Sequence, residues 1–155
     1  MNLYVDALQS LYAVERQTES MAGRIGADTG VTAFKEFLTN AEAGAARRAD
    51  MLEQVLTKHG ESTDSLKTFV TKAAGSVHAL IHDMAGHTDL KNLFALAGLH
   101  QYLIAAYTST ARLAIVEGDT DTARALATTA ATLISDLSIA MTLVEQVTDS
   151  VTEAA

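Results

Sequence analysis

The sequence predicts an all-α protein, and three observations support that fold class. Proline, the strongest helix breaker, is absent from all 155 residues. Alanine and leucine, which favour helices, are abundant. Apolar residues recur every three or four positions through five segments, which short glycine-containing breaks separate. We therefore predict one domain over residues 1–155, an antiparallel four-helix bundle with an additional shorter helix.

The five helical segments are predicted from their apolar stripes and from the residues that end them. Their bounds are about 2–25, 31–58, 64–84, 89–117 and 122–151. Gly60 follows the second segment as a C-terminal cap, and residues 118–121 form the clearest turn. Because short connections make neighbouring helices antiparallel, the four long segments should form the bundle. The short third segment would then bridge or cap it.

Composition and charge exclude several classes of function. The chain has 19 acidic and 11 basic residues, so its net charge of −8 repels phosphates and anionic lipids. We therefore expect neither nucleic acid nor a membrane as a partner. We also expect no stretch that approaches the ~20 apolar residues needed to span a bilayer. Cysteine is absent, which excludes disulfides and thiolate metal sites, and we expect a cytoplasmic location.

Glu15 is the most informative residue for function. It follows Leu11 by one helical turn, so the apolar stripe of the first helix carries a carboxylate toward the bundle interior. Burial of an unpaired carboxylate costs several kcal/mol, so Glu15 should be protonated, paired or bound to a cation. Alternatively, Glu15 lies at the edge of the stripe and reaches water or an arginine.

The residues around Glu15 carry a resemblance to a known family. Residues 8–17 resemble the first-helix motif of bacterial ferritin-like stress proteins of the YciE and YciF type, leucine-x-aspartate-leucine-tyrosine-x-alanine-glutamate-x-glutamine. The matching residues are Leu8, Leu11, Tyr12, Glu15 and Gln17, whereas Ser10 and Val14 depart from the motif. The similarity continues through 34–38 and 52–56 and returns at 104–107, which match isoleucine-alanine-alanine-tyrosine. The resemblance implies a ferritin-like bundle and a role in stress response.

The resemblance also implies a di-metal centre with glutamate and histidine ligands from four helices. When the family's ligand positions are transferred to this sequence one by one, most of them hold neither glutamate nor histidine. Phe37 and Asn40 occupy the ligand positions of the second helix, and residues 130–135 contain no acid. The candidates that remain are Glu15 and His100, with Glu42 and Asp136 as further possibilities.

These candidates are too few for an intact di-iron centre, which needs about four carboxylates and two imidazoles. We therefore predict a degenerate metal centre, no resident cofactor and no catalytic residue. The protein would act through self-association or by binding a partner protein. The alternative is a ferritin-like protein that binds two iron or manganese ions and has oxidase-like or metal-storage activity. A third hypothesis is an interaction module whose bundle face binds another helix.

The sequence is compatible with two different surroundings of the Glu15 carboxylate. His100 lies on the inner stripe between Ala97 and Ile104, so a hydrogen-bonded Glu15–His100 pair is one hypothesis, and a partly exposed histidine is the other. The many alanines and leucines favour burial of Glu15 among apolar side chains without a charged partner. In that case Glu15→Leu would leave the bundle equally or more stable.

The remaining polar groups are predicted at the surface. His78 and His82 have the spacing that lets two imidazoles share a cation, but the pattern favours a solvated face. Arg47 and Arg48 are predicted to form surface salt bridges. We expect a homodimer, with Tyr4, Tyr12 or Leu113 supplying exposed apolar contact area.

Overall fold

The computed structural model describes residues 2–62, 64–68, 70–71 and 88–153, and this part of the chain is almost entirely helical. Four long helices, numbered in chain order, are α1 Leu3–Asp28, α2 Thr32–Lys58, α3 Thr88–Val116 and α4 Thr120–Glu153. Residues 64–68 and 70–71 are helical too, and the described residues contain no strand. The predicted all-α class is confirmed. Most of the predicted short helix, including His78 and His82, lies outside the described residues.

The helix ends follow capping signals in the sequence. The Asn2 side chain accepts hydrogen bonds from the first backbone amides of α1. Gly60 and Gly118, which follow α2 and α3, have φ angles of +89° and +80°. Glycine is favoured in this left-handed region because it has no Cβ. These glycines therefore end the helices where the sequence predicted an end.

The first helix is longer than predicted. It was expected to stop at about residue 25, but α1 continues through Gly26 to residue 28. A glycine inside a helix costs only about 1 kcal/mol, which packing can offset. A Cβ added at Gly26 would lie 3.5 Å from Leu38 Cβ, so α2 packs closely against this turn of α1.

Contacts at one end of the bundle show the direction of each helix. Tyr4, near the start of α1, donates a hydrogen bond from its hydroxyl to Asp119 Oδ2 at 3.1 Å. His59, just after α2, has its Nε2 atom 3.8 Å from the same oxygen. Since Asp119 lies between α3 and α4, helices α1 and α4 run away from this end, whereas α2 and α3 run toward it. Helices α2 and α3 are therefore parallel, and residues 59–87 form the long connection between them.

The four helices are arranged as two closely packed hairpins. Helix α1 packs along α2 and α3 packs along α4, while α1 also contacts α3 and the α2–α4 contact is the smallest. Apolar stripes from all four helices meet in one core. Its fully buried large side chains include Tyr4, Leu8, Leu11, Phe34, Leu38, Leu52, Leu56, Leu93, Leu96, Leu103 and Tyr107. Only a groove separates α2 from α4 on the remaining side.

Helix α4 is apolar on its outer side as well as on its inner side. By length and composition alone, it is long and apolar enough to cross a membrane. Only 22% of its most apolar 18-residue window is buried. Ile134, Ile139 and Met141 are exposed on it. Apolar surface of this extent is typical of a face that another molecule covers.

The residues expected to supply an exposed dimer contact lie mostly inside the bundle. Tyr4 and Tyr12 are 1% and 4% exposed, and Leu113 is partly buried against the core. The Tyr4 ring packs edge-on against His59, with ring centroids 5.3 Å apart. The prediction that the tyrosines are exposed is wrong because their rings fill the core while only their hydroxyls reach polar partners.

The Asp119 carboxylate should stabilise the fold in a pH-dependent way. Burial alone would raise its pKa, but hydrogen bonds from Thr122 and Tyr4 and the nearby His59 lower it below the ordinary 3.8. A carboxyl whose pKa is lowered by folding stabilises the fold above its unfolded pKa, and this contribution is lost as the pH falls through the folded pKa. Asp119→Asn keeps an acceptor that can cap α4 but removes the charge.

We expect Asp119→Asn to lower the free energy of unfolding at pH 7 by roughly 0.5–1 kcal/mol. The variant should then lose less stability than the parent between about pH 5 and pH 2. Urea denaturation at several pH values measures both effects. Asp121→Asn is the matched control, since Asp121 is 95% exposed. Parallel pH profiles for Asp119→Asn and the parent would show that Asp119 contributes nothing through its charge.

Candidate functional site

Glu15 lies at the centre of the bundle and pairs with an arginine. Its side chain is completely buried. Arg48 of α2 donates two hydrogen bonds to it, from Nε to Oε1 at 2.7 Å and from Nη2 to Oε2 at 2.9 Å. The Tyr107 hydroxyl of α3 donates a third to Oε1 at 2.8 Å. The site therefore joins three helices through one carboxylate, which we call the Glu15 cluster: Glu15, Arg48 and Tyr107.

Small residues of α2 make room for the Arg48 side chain inside the bundle. Gly44, Ala45 and Ala49 are buried beside it on the same face of the helix. A Cβ added at Gly44 would lie only 3.0 Å from Arg48 Nη1. The Arg48 side chain is 13% exposed. The prediction that Arg47 and Arg48 form a salt-bridged surface is therefore wrong for Arg48, which points inward, whereas Arg47 is exposed.

The Glu15 cluster stabilises the charged form of Arg48. Burial by itself disfavours the guanidinium charge, but the hydrogen bonds and the attraction of Glu15 outweigh it and raise the Arg48 pKa. Burial and the adjacent Glu15 charge also raise the pKa of Tyr107 well above its ordinary value. The phenol therefore stays protonated and acts as a hydrogen-bond donor.

His100 is buried near the Glu15 cluster but does not pair with Glu15. It is 1% exposed, and its Nδ1 atom lies 2.8 Å from the Leu96 carbonyl oxygen one turn earlier in α3. This contact requires the proton on Nδ1. Burial lowers the pKa of His100 despite that bond, so the ring is neutral at pH 7. Both hypotheses for His100, the Glu15 pair and a partly exposed side chain, are wrong, because Glu15 is bound by Arg48 and Tyr107 and the buried ring uses Nδ1 to contact Leu96 within α3.

The other predicted ligand candidates do not converge on Glu15. The Glu42 side chain is directed toward α1 at Gly23, where an added Cβ would lie 2.8 Å from its Oε1 atom. Asp136 is partly buried on α4, and its charge raises the Arg48 pKa from a distance. Within the described ranges, no three or more histidine, aspartate or glutamate side chains are grouped so that they could hold a metal ion.

Arg48 was not predicted to belong to the site, although its position in the sequence indicates that it points inward. Arg48 follows Ala41 and Ala45 and precedes Leu52 at helical spacing, so it lies on the buried stripe of α2. An arginine in this stripe, flanked by alanines and a glycine, indicates an inward guanidinium that needs a carboxylate. Tyr107 belongs to the segment 104–107 that carries the family resemblance, and it is completely buried.

Comparison with known families gives one match over nearly the whole chain. A family model described as "Domain of unknown function (DUF892)" matches residues 1–153. The chain belongs to the DUF892 family. Comparison with curated proteins finds none that matches.

In this DUF892 chain, the arrangement around Glu15 is that of a closed structural site. Both carboxylate oxygens accept hydrogen bonds from the arginine, so the guanidinium supplies the cation that a buried carboxylate needs. The third bond, from Tyr107, adds another donor. The geometry provides positioning and charge neutralisation of the Glu15 carboxylate.

From the sequence, Glu15→Leu was expected to leave the bundle equally or more stable. Because Glu15 is paired with Arg48, we now expect this change to destabilise the bundle. The change strands the buried Arg48 charge, so we expect the free energy of unfolding to fall by about 3–5 kcal/mol. Replacing the whole cluster by apolar residues, as Glu15→Leu with Arg48→Leu and Tyr107→Phe, should recover most of this loss. Urea denaturation of the single, triple and parent proteins measures both changes.

Two results would contradict this explanation of how the Glu15 charge contributes to stability. If Glu15→Leu were as stable as the parent, the ion pair would contribute nothing to stability. If the triple variant were no more stable than Glu15→Leu, the loss would come from packing around the substituted side chain rather than from a stranded charge. Arg16→Leu is a suitable control, because Arg16 is partly exposed on the adjacent position of α1.

Proposed function

We propose that this chain is a ferritin-like bundle whose metal centre has been replaced by the Glu15 cluster, and that it is non-catalytic and acts through self-association. The observation that carries the proposal is the bidentate Arg48–Glu15 pair. In the di-metal proteins that share the ferritin-like architecture, buried carboxylates from several helices hold metal cations. Here the α1 carboxylate is satisfied by a guanidinium from α2 instead.

The connectivity of the helices supports the ferritin-like part of the proposal. Ferritin-like bundles have one long crossover connection, in contrast to bundles in which every loop is short. In this chain α2 and α3 are parallel, and the long connection 59–87 joins them. The segments that resemble YciE and YciF contribute two members of the Glu15 cluster, Glu15 and Tyr107. The resemblance is also the basis for proposing a role in stress response.

The surface formed by α3 and α4 supports the self-association part. We define the α3/α4 face by its exposed apolar residues, Phe94, Ile115, Ile134 and Met141, together with Ala127 and Ala131. Helix α3 carries no acidic or basic side chain between Lys91 and Arg112. Arg112 and Arg124 are the charged residues that line this face beside Ile115 and Ile134. A mainly apolar face of this kind suits a symmetric contact with the same face of a second copy.

We expect the protein to sediment as a homodimer, at twice its chain mass of 16.4 kDa. Ile134→Glu places a charge in the proposed interface and should give the monomer. Ile139→Glu is the matched control. Ile139 lies on the same helix and its exposed fraction, 52%, is close to the 56% of Ile134. Ile139 faces the α2/α4 side, however, and lies outside the proposed interface. Sedimentation at several concentrations distinguishes the two masses. A parent protein at the mass of one chain throughout, or a dimer that Ile134→Glu leaves intact, would contradict the proposed interface.

The metal content tests the proposal against its alternative, a ferritin-like protein that binds two iron or manganese ions. Arg48 occupies both oxygens of Glu15, so we expect well under one equivalent of metal per chain. Elemental analysis of protein purified from iron- and manganese-replete cells measures it. Close to two equivalents in the parent, lost in Glu15→Ala, would establish the alternative and refute the non-catalytic proposal.

We also propose a cytoplasmic location. The exposed apolar surface of α4 makes this location testable, because lipid could cover it instead of a second copy. If the apolar side of α4 is covered by a second copy, the protein should fractionate with the soluble contents of the cell. Recovery in the membrane fraction, together with an unchanged distribution of Ile134→Glu, would instead assign the apolar surface of α4 to lipid.

A further inference from the structure

A groove runs between α2 and α4 on the side of the bundle where these helices scarcely touch. Its half nearer the Tyr4 end has a volume of about 570 Å³ and is lined by Gly44, Arg47, Arg48, Met51, Ala125 and Thr128, among others. This volume falls within the range of sites that hold small molecules. The groove adjoins the α3/α4 face at Arg124, which lines both, whereas Gly44, Arg47 and Arg48 lie on the α2 side of the groove.

Two guanidinium groups lie close together beside Gly44. The position that a Cβ would take is 3.0 Å from Arg48 Nη1 and 4.0 Å from Arg47 Nη2, so the Arg48 guanidinium fills the space that a side chain would need. The contacts of Arg48 with Glu15 use Nε and Nη2, and Arg48 Nη1 makes no hydrogen bond with a described residue. We call the part of the groove that these two terminal nitrogens border the Gly44 notch.

One arginine that lines this half of the groove has no acidic partner among the described residues. Arg48 is paired with Glu15, and Arg124 Nη1 lies 3.7 Å from Asp121 Oδ1. Arg47 forms no ion pair with any residue that the structure describes. Arg47 therefore supplies the uncompensated positive charge that attracts an anion to this part of the groove.

The other half of the groove limits where an anion can bind. Asp136 and Glu36 line it, and their charges repel a negative group. An anion would therefore be held at the Gly44 notch or on the side of Arg47 and Arg124. Glu15 holds the Arg48 side chain in place, so little side-chain entropy would be lost when its free Nη1 atom binds a ligand.

We infer that the Gly44 notch binds a small organic anion, a carboxylate or a phosphate monoester. Its oxygens accept hydrogen bonds from Arg47 Nη2 and Arg48 Nη1, an arrangement that matches the planar donor geometry of arginine. The apolar body of the ligand lies along Met51 and Ala125. This is a binding activity in addition to the proposed self-association, and it uses the remaining terminal nitrogen of Arg48 rather than the two nitrogens that bind Glu15.

Titration of isotopically labelled protein with phenyl phosphate, followed by NMR, tests the inference. We expect saturable shifts at Gly44, Arg47 and Ala125, and weaker binding of inorganic phosphate, which lacks the apolar body. Benzoate should bind in the same place, whereas the neutral benzyl alcohol should not. Arg47→Gln removes one charged donor and should weaken phenyl phosphate binding roughly tenfold. Arg24→Gln, at an exposed arginine of α1, should leave it unchanged.

The inference is overturned if phenyl phosphate gives no saturable shifts up to about 10 mM. It is equally overturned if benzyl alcohol binds as well as phenyl phosphate, or if Arg47→Gln keeps the parent affinity.

Discussion

The buried ion pair of Arg48 and Glu15 constrains the centre of the bundle, because neither charge is stable there without the other. Each charge loses several kcal/mol of solvation on burial, and only close, bidentate geometry with further hydrogen bonds compensates. Glu15 receives that geometry from Arg48 and one more bond from Tyr107. A slip of α1 against α2 by one turn, about 5.4 Å, would leave both charges unpaired. An apolar stripe alone tolerates such a shift more readily, so the ion pair specifies the register of α1, α2 and α3.

The same interaction explains why α2 is built from very small residues at its middle. Gly44, Ala45 and Ala49 leave the volume that the guanidinium fills, and they allow it to approach the backbone. Arg48 binds Glu15 through Nε and Nη2 and also lines the groove between α2 and α4. The proposed replacement of the metal and the inferred anion site therefore share this residue.

Charge is distributed unevenly between the two hairpins. Helices α1 and α2 carry most of the ionisable side chains, including the partly exposed group in which Arg16 contacts Glu19, Asp50 and Glu53. Helix α3 is uncharged over its middle, and α4 combines alanine, threonine and aliphatic residues on its outward side. The first hairpin therefore has a solvated surface, whereas the second offers apolar area that a second copy can cover.

The sequence by itself determined the helices, since their periodicity, breaks and caps depend on neighbouring residues in the chain. The second helix was predicted at about 31–58 and is Thr32–Lys58, and the inward direction of Glu15 followed from its place beside Leu11. The tertiary structure decided which residue pairs with Glu15, because the rotation of α2 about its axis turns Arg48 inward and leaves Arg47 outside. It also decided that His100 bonds within α3 and that Tyr4 and Tyr12 are buried. These outcomes depend on how separate helices rotate against one another, and a shift of one residue turns a helical side chain by about 100°.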